Sequence, residues 1–187
     1  MYILSGHLKG RKIIVPDGAT TRPTLSRVRQ ILFDILSHSA LLPNWSQVSI
    51  LDVFAGSGSI GIEALSRGAA RAGFFERDPN ARQVLQRNIQ HFGLEEKTHI
   101  FSDAENPTKT ATPYDIVFFD PPYDQAHHLA ACVTRFRDKG WCHAHSMIIT
   151  QVPTKTPAFA EPIRSKTIGV TRLDFYTDLG FSSQTGT

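Results

Sequence analysis

The chain has 187 residues, 41% of them hydrophobic, and its formal net charge is +3. This length and apolar content predict one α/β domain with a sizeable core and little room for a second domain. No apolar run is long enough to span a membrane and no apolar signal-peptide segment opens the chain, so a cytoplasmic protein is expected. We expect Cys132 and Cys142 to be reduced thiols.

The positive charge is concentrated near the N-terminus. Residues 1–30 hold six basic side chains and one acidic side chain, a net charge of +5, whereas the remainder carries −2. A basic arm on a nearly neutral domain is typical of a protein that binds a phosphate backbone, although a solvated basic surface is an alternative. We predict such an arm over residues 1–24, with short strands at residues 2–4 and 11–15. The candidate backbone contacts are Lys9, Arg11, Lys12, Arg22, Arg27 and Arg29.

A glycine-rich turn follows the first long apolar segments. Apolar residues at helical spacing predict a helix over residues 25–38. A strand then runs into Gly56, Gly58 and Gly61, which have the spacing GxGxxG. Glycine lets a ligand approach the backbone closely, and the helix predicted at residues 60–67 presents unpaired N–H groups. This spacing alone is a weak signal, because dinucleotide-binding sites share it.

The acidic residues near this turn favour a ligand without phosphate groups. Asp52 lies in the strand just before the glycines, where it would repel the pyrophosphate of NAD. Glu76 follows at the distance of about 20 residues at which an acid binds ribose hydroxyls. A ligand with an amino acid moiety and no phosphate, such as S-adenosylmethionine (SAM), would tolerate Asp52.

The later strands also end in acidic residues. Proline in its first turn and Gly93 after its end predict a helix over residues 79–92. Ligands of open parallel α/β sheets bind outside the carboxyl ends of the strands. Acids that cap the next helices would explain any one of these residues, but four together suit a cationic ligand rich in hydroxyl and amine groups. The four strand-end acids are Asp52, Glu76, Asp103 and Asp120.

The segment Asp120-Pro121-Pro122-Tyr123 closes an apolar strand predicted at residues 114–119. Two consecutive prolines fix φ and remove two backbone donors, so the turn presents a carboxylate, free carbonyls and an aromatic ring. Asp120 and a proline carbonyl can accept the N–H bonds of a nucleobase amine while Tyr123 stacks on the ring. A structural proline turn with a capping Asp is the alternative.

The last third of the chain predicts a helix, a strand and a terminal hairpin. A Pro- and Thr-rich loop at residues 153–162 is expected to be mobile. The segment from Cys142 to His145 lacks the paired spacing of a zinc site, so no metal is expected. The predicted elements are a helix at residues 126–136, a strand at 146–152, and hairpin strands at 163–168 and 171–177. A flexible tail is expected at residues 181–187.

These motifs resemble a known group of enzymes. Residues Leu51–Gly58, Glu76 and Asp120–Tyr123 are similar to the SAM-dependent amino-methyltransferases with a [DN]PP[YF] motif. Gly6–Lys12 and the segment from residue 21 to residue 29 narrow the resemblance to the RsmD family, which methylates guanine N2 in small-subunit (16S) ribosomal RNA. The resemblance extends to about residue 177. The chain departs from the family pattern at Ser26, Gln30 and Asp34.

The resemblance implies a Rossmann-like SAM-dependent methyltransferase fold, with a mostly parallel central sheet, helices on both faces and a C-terminal antiparallel hairpin. We place this domain at residues 25–180. The implied reaction is methylation of a guanine N2 amine in 16S rRNA or the small subunit. We expect the protein to be a monomer. The implied catalytic residues are Asp120, Pro121, Pro122 and Tyr123. The implied SAM-binding residues are Asp52, Phe54, Gly56, Ser57, Gly58, Glu76 for the ribose and Asp103 for the adenine amine.

Two other functions compete with this one. A DNA adenine-N6 methyltransferase uses the same chemistry on a different amine, but it usually needs an additional target-recognition segment. This chain has no room for such a segment. A non-catalytic SAM- or RNA-binding module is the second alternative, and Asp120 and Tyr123 argue against it.

Overall fold

The structure is a computed structural model, and it describes residues 1–16, 23–39, 44–122 and 127–177. No described helix is long and apolar enough to cross a membrane. The chain divides into two compact units, Met1–Ala104 and the part from Glu105 onward. The helices are α1 (Pro23–Ser37), α2 (Ser59–Ser66), α3 (Pro79–Phe92) and α4 (Leu129–Asp138). The strands are β1 (Ser49–Val53), β2 (Arg71–Phe75), β3 (Thr98–Phe101), β4 (Tyr114–Phe119), β5 (Cys142–Pro153), β6 (Arg164–Ile168) and β7 (Thr171–Thr177).

The first unit contains three parallel strands in the order β3-β2-β1. All five residues of β1 are buried, as expected for a parallel strand that is covered on both faces. The carboxyl ends of β1 and β2 are in register, with Val53 opposite Phe75. The residues that follow these two strands, which include the glycine turn and Glu76, therefore lie at one edge of the unit.

The N-terminal segment differs from its prediction. The two strands expected at residues 2–4 and 11–15 are wrong, since an isolated antiparallel bridge joins Tyr2 to Lys12 instead. The physical reason is that the N–H groups of Leu4 and Ser5 bond to the carboxylate of Glu63 in α2, at 2.8 and 3.0 Å, and not to a neighbouring strand. The segment is thus attached to α2 through a buried side chain.

The second unit contains four strands in the order β4-β5-β7-β6. The pair β4–β5 is parallel, whereas β5–β7 and β7–β6 are antiparallel. Together with the parallel strands of the first unit, this pairing confirms the predicted α/β fold with a mostly parallel sheet and a C-terminal antiparallel hairpin.

Several boundaries agree with the sequence, and others do not. Helix α3 has its predicted bounds, and β7 does as well. Helix α4 extends two residues beyond its predicted end, and β5 begins four residues before its predicted start. The loop that we expected to be mobile is tied to β7, because the guanidinium of Arg172 donates to the carbonyls of Thr154 and Thr156. The predicted tail at residues 181–187 lies outside the described residues.

Candidate functional site

The turn between β1 and α2 has an unusual backbone. Phe54 has φ = +70°, a conformation that is uncommon for a residue with a side chain. Such conformations cost free energy and concentrate at ligand-binding sites. Gly56 has φ = +55°, and a Cβ added there would meet no atom within 4 Å. The backbone at Gly56 therefore faces open space, into which a ligand can approach.

Glycine is required at two further positions of the turn for packing reasons. A Cβ on Gly58, where φ is +79°, would lie 2.4 Å from Cδ1 of Leu85 in α3. A Cβ on Gly61 would lie 2.4 Å from the ring of Phe74 in β2. The GxGxxG spacing thus serves close packing at Gly58 and Gly61, and it leaves open space at Gly56.

Glu76, the residue after β2, binds the backbone of the glycine turn. Its Oε2 accepts a hydrogen bond from the N–H of Gly56 at 2.7 Å, and its Oε1 accepts one from the N–H of Asp78 at 2.8 Å. Each carboxylate oxygen has a second lone-pair site for another donor. Glu76 is half-buried, so the carboxylate is fixed in orientation and still reachable by a ligand hydroxyl.

Of the other predicted cofactor residues, Asp52 and Ser57 belong to the same turn or the strand before it, and Asp103 follows β3. Asp52 is buried, and its Oδ2 accepts a hydrogen bond of 3.3 Å from the N–H of Gly61 in the first turn of α2. A carboxylate there is favourable, because the helix N-terminus carries partial positive charge and has no side-chain cap. Ser57 is buried, whereas Asp103 is exposed two residues after β3.

Asn88 was missed by the sequence analysis. Its side chain is fully buried, and its Nδ2 donates to the carbonyl of Ser57 at 2.9 Å. The same amide exchanges hydrogen bonds of 2.8 and 2.9 Å with the backbone of Ile14. Asn88 therefore joins the glycine turn to the N-terminal segment. Its position among the buried residues Leu85 and Ile89 of α3 was an available signal, because a polar residue on an apolar helix face needs partners.

Asp120 is the residue that follows β4 in the second unit. Desolvation raises the pKa of its carboxyl from 3.8 to about 7. The amide Nε2 of Gln151 in β5 donates to its Oδ2 at 3.1 Å. Pro121 is buried and Pro122 is exposed, while Tyr123 lies outside the described residues. The carboxyl is thus held through one oxygen and can change its charge near neutral pH.

Gln151 was not among the predicted site residues either. It is a half-buried polar residue next to Thr150 in a strand segment, Ile148–Val152, whose other three residues are apolar, and this contrast was the signal in the sequence. Its amide orients Asp120, because a hydrogen bond to Oδ2 fixes the plane of the carboxyl group.

The basic residues predicted to contact RNA differ in their exposure to solvent. Lys9, Lys12 and Arg27 are exposed, as is Arg11, whose guanidinium also donates to the carbonyl of His91 and lies 4.7 Å from the ring centre of Phe92. Arg22 lies outside the described residues.

Arg29 requires a correction. Its side chain is only 2% exposed, and its Nη2 donates to the carbonyl of Tyr2 at 2.5 Å. Its Nε lies 3.9 Å from Oε2 of the buried Glu63. A guanidinium enclosed in this way does not present its charge to a phosphate backbone. We therefore replace the RNA contact predicted for Arg29 with a role in packing the N-terminal segment.

Comparisons with known proteins find a matching family and similar chains. The family described as "Conserved hypothetical protein 95" matches residues 1–177. The "Ribosomal RNA small subunit methyltransferase D" of Escherichia coli (strain K12) is 36% identical over 150 residues, 80% of this chain and 73% of the relative. The protein of the same name from Haemophilus influenzae is 30% identical over 184 residues, 93% of this chain and 92% of the relative.

A solved structure shows the same fold. "Putative methyltransferase yhhF from Escherichia coli" has a TM-score of 0.79 and 31% identity, and the match covers 95% of this chain and 97% of that one. The parallel strands, the strained glycine turn and the C-terminal antiparallel hairpin thus form a methyltransferase-type α/β fold. The chain belongs to the conserved hypothetical protein 95 family, the RsmD family.

Proposed function

We propose that the protein is a SAM-dependent methyltransferase that modifies the N2 amine of a guanine in 16S rRNA, as free RNA or in the small subunit. The observation that carries this proposal is the likeness, over 80% of the chain, to a relative named as a small-subunit rRNA methyltransferase. The desolvated Asp120 directly after β4 supports an amine as the methyl acceptor. A cytoplasmic location and a monomeric state remain predictions.

The first unit fits SAM by its donors and acceptors. Glu76 would accept hydrogen bonds from the ribose hydroxyls, Asp103 one from the adenine amine, and the turn from Asp52 to Gly58 would hold the methionine moiety. The open space at Gly56 gives the ligand room beside the backbone. When bound, SAM supplies an activated methyl group on its sulfonium sulfur.

Asp120 would act on the methyl acceptor. The lone pair of the guanine N2 nitrogen is delocalised into the ring, which makes the amine a poor nucleophile. Hydrogen bonds from this amine to the Asp120 carboxylate and the Pro121 carbonyl direct the lone pair out of the ring plane. The carboxylate also stabilises the positive charge that develops on the nitrogen as it gains the methyl group.

The raised pKa of Asp120 suits the proton that the reaction releases. After methyl transfer the nitrogen carries four bonds and a positive charge, and it must lose one proton to become neutral. A carboxylate with a pKa of about 7 can take that proton and pass it to water at neutral pH. Gln151 holds Oδ2, which leaves Oδ1 for the amine. Tyr123 would stack on the extruded base.

Deletion of the gene is expected to remove N2-methylguanosine from one position of 16S rRNA. The measurement is mass spectrometry of 16S nucleosides and oligonucleotides from cells with and without the gene, with 23S rRNA as the control. The modification should return when the gene is supplied on a plasmid. An unchanged 16S N2-methylguanosine content, or a loss of N6-methyladenine from DNA instead, would refute the proposed substrate.

Glu76→Ala is expected to weaken binding of S-adenosylhomocysteine about tenfold to a hundredfold, since hydrogen bonds to a charged group contribute about 1.5–3 kcal/mol. Calorimetric titration measures this, and NAD should give no saturable binding because Asp52 would repel its pyrophosphate. Glu76→Gln, which can still accept the Gly56 hydrogen bond, should lose less affinity. The exposed Glu96→Ala is the control within the same unit. NAD binding as strong as that of S-adenosylhomocysteine would contradict the assignment.

A further inference from the structure

Two of the four exposed large hydrophobic residues in the described part of the chain lie in the N-terminal segment. Among the large hydrophobic residues in the described part of the chain, Tyr2 is 58% exposed and Ile14 is 41% exposed. Their neighbours Ile3 and Ile13 are buried in the core. This alternation turns Tyr2 and Ile14 away from the core and toward solvent.

The backbone that carries Tyr2 is fixed. The N–H of Ile3 donates to the carbonyl of Arg11 at 3.0 Å, and the N–H of Ile13 donates to the carbonyl of Met1 at 2.8 Å. The carbonyl of Tyr2 itself accepts a hydrogen bond from the buried guanidinium of Arg29. A ring on an ordered backbone loses little conformational entropy when it binds a partner.

The surroundings of the ring are cationic. The two bonds that flank Tyr2 and Lys12 make them a non-hydrogen-bonded antiparallel pair, the kind in which side chains lie closest together. Lys12 is exposed, and so is Lys9 in the turn that joins the two halves of the bridge. An aromatic face beside mobile ammonium groups matches a nucleotide, which offers a planar base and a phosphate together.

We propose that Tyr2 is a stacking site for an unpaired base of the RNA substrate, with Lys12 on an adjacent phosphate. This inference rests on the proposed function, because it concerns the RNA of the same reaction. The RNA affinity of the N-terminal segment is thus divided into a contribution from charge and a contribution from stacking. Lys9 and Lys12 attract any phosphate backbone, whereas Tyr2 requires a base.

The test compares two RNA probes. One is a fluorescently labelled single-stranded RNA of mixed sequence, and the other has the same backbone with abasic residues in place of the nucleotides. Tyr2→Ala should weaken binding of the mixed-sequence RNA about tenfold with an unchanged salt dependence, as stacking on an aromatic side chain predicts. Tyr2→Phe should bind like the wild type. The abasic RNA should bind the wild type and Tyr2→Ala equally.

Two further variants separate charge from stacking. Lys12→Gln should weaken both probes and reduce the salt slope by about one unit. Val170→Ala, which truncates another exposed apolar residue (72% exposed), should change neither. Each variant is checked by its thermal midpoint and by titration with S-adenosylhomocysteine, which Tyr2→Ala should leave unchanged.

Two results would overturn the stacking site alone: wild-type RNA affinity in Tyr2→Ala, or an equal loss of affinity on the abasic probe. A wild-type chain that binds S-adenosylhomocysteine but neither RNA would also overturn the stacking site, whereas the proposed substrate is tested separately by the 16S nucleoside measurement.

Discussion

Asp120→Ala is expected to reduce the rate of methyl transfer at least about a thousandfold, because it removes both a stabiliser of developing charge and a proton acceptor. The thermal midpoint and binding of S-adenosylhomocysteine should stay near wild type. Among the described residues Gln151 is the side chain that donates a hydrogen bond to Asp120, and desolvation disfavours the charged carboxylate, so the folded state loses little when the carboxyl is deleted. Single-turnover rates at saturating RNA or subunit measure the effect.

Asp120→Asn and the pH profile are the controls for this prediction. The amide oxygen still accepts one hydrogen bond, so Asp120→Asn should retain partial activity that does not vary with pH around neutrality. The wild-type kcat/KM should rise with pH through about 7, because only the ionised carboxylate accepts the amine proton. An active Asp120→Ala enzyme, or a wild-type profile that is flat from pH 6 to 8, would remove the basis for this mechanism.

The raised pKa of Asp120 also has a consequence for stability. A carboxyl whose folded pKa lies above its ordinary value of 3.8 favours the folded state in its protonated form. That contribution is present below the ordinary value and is lost as the pH rises through about 7. Asp120→Asn should therefore unfold no more easily than the wild type above pH 7, which separates a catalytic defect from a folding defect.

Local signals explain which parts of the fold the sequence predicted well. The bounds of α3 followed from proline at its first position and glycine after its end. The structure shows why, since the Asp78 side chain caps the N–H of Ala81 and Gly93 has φ = +66°. The glycine turn was equally visible, because its positive φ values and close packing demand glycine at fixed spacing. The helix bounds depend on neighbours within a few residues, whereas the residues that pack against Gly58 and Gly61, Leu85 and Phe74, follow from the tertiary structure.

The polar residues that were missed or misassigned depend on contacts that are distant in sequence. Asn88 bonds to Ile14, 74 residues away, and Gln151 bonds to Asp120, 31 residues away. Arg29 was counted with the basic surface because its charge is visible in the sequence, whereas its burial follows from tertiary packing. Composition thus identified the basic N-terminal segment but not which of its cations face solvent.

Glu63→Ala is expected to lower the free energy of unfolding by about 3–5 kcal/mol, the cost of removing one partner of a buried ion pair. Glu63 is fully buried and accepts hydrogen bonds from the N–H groups of Leu4 and Ser5 and from Nε of Arg67 at 2.8 Å. Desolvation lowers the pKa of Arg29, and Glu63 opposes that effect. Without Glu63, Arg29 is left as a buried charge beside Arg67. Urea denaturation followed by circular dichroism measures the loss.

A double-mutant cycle identifies the source of this loss. The buried Arg29 guanidinium without its ion-pair partner is one source of the loss in unfolding free energy. If it is the main source, Arg29→Met in the Glu63→Ala background should recover part of the stability, because the uncompensated charge is removed. Glu63→Gln keeps an acceptor oxygen and should lose less than Glu63→Ala. The exposed Glu161→Ala is the control and should stay within about 0.5 kcal/mol of the wild type. A Glu63→Ala chain as stable as this control would show that the N-terminal segment is held by its apolar contacts, Ile3 and Ile13 above all, and not by the carboxylate.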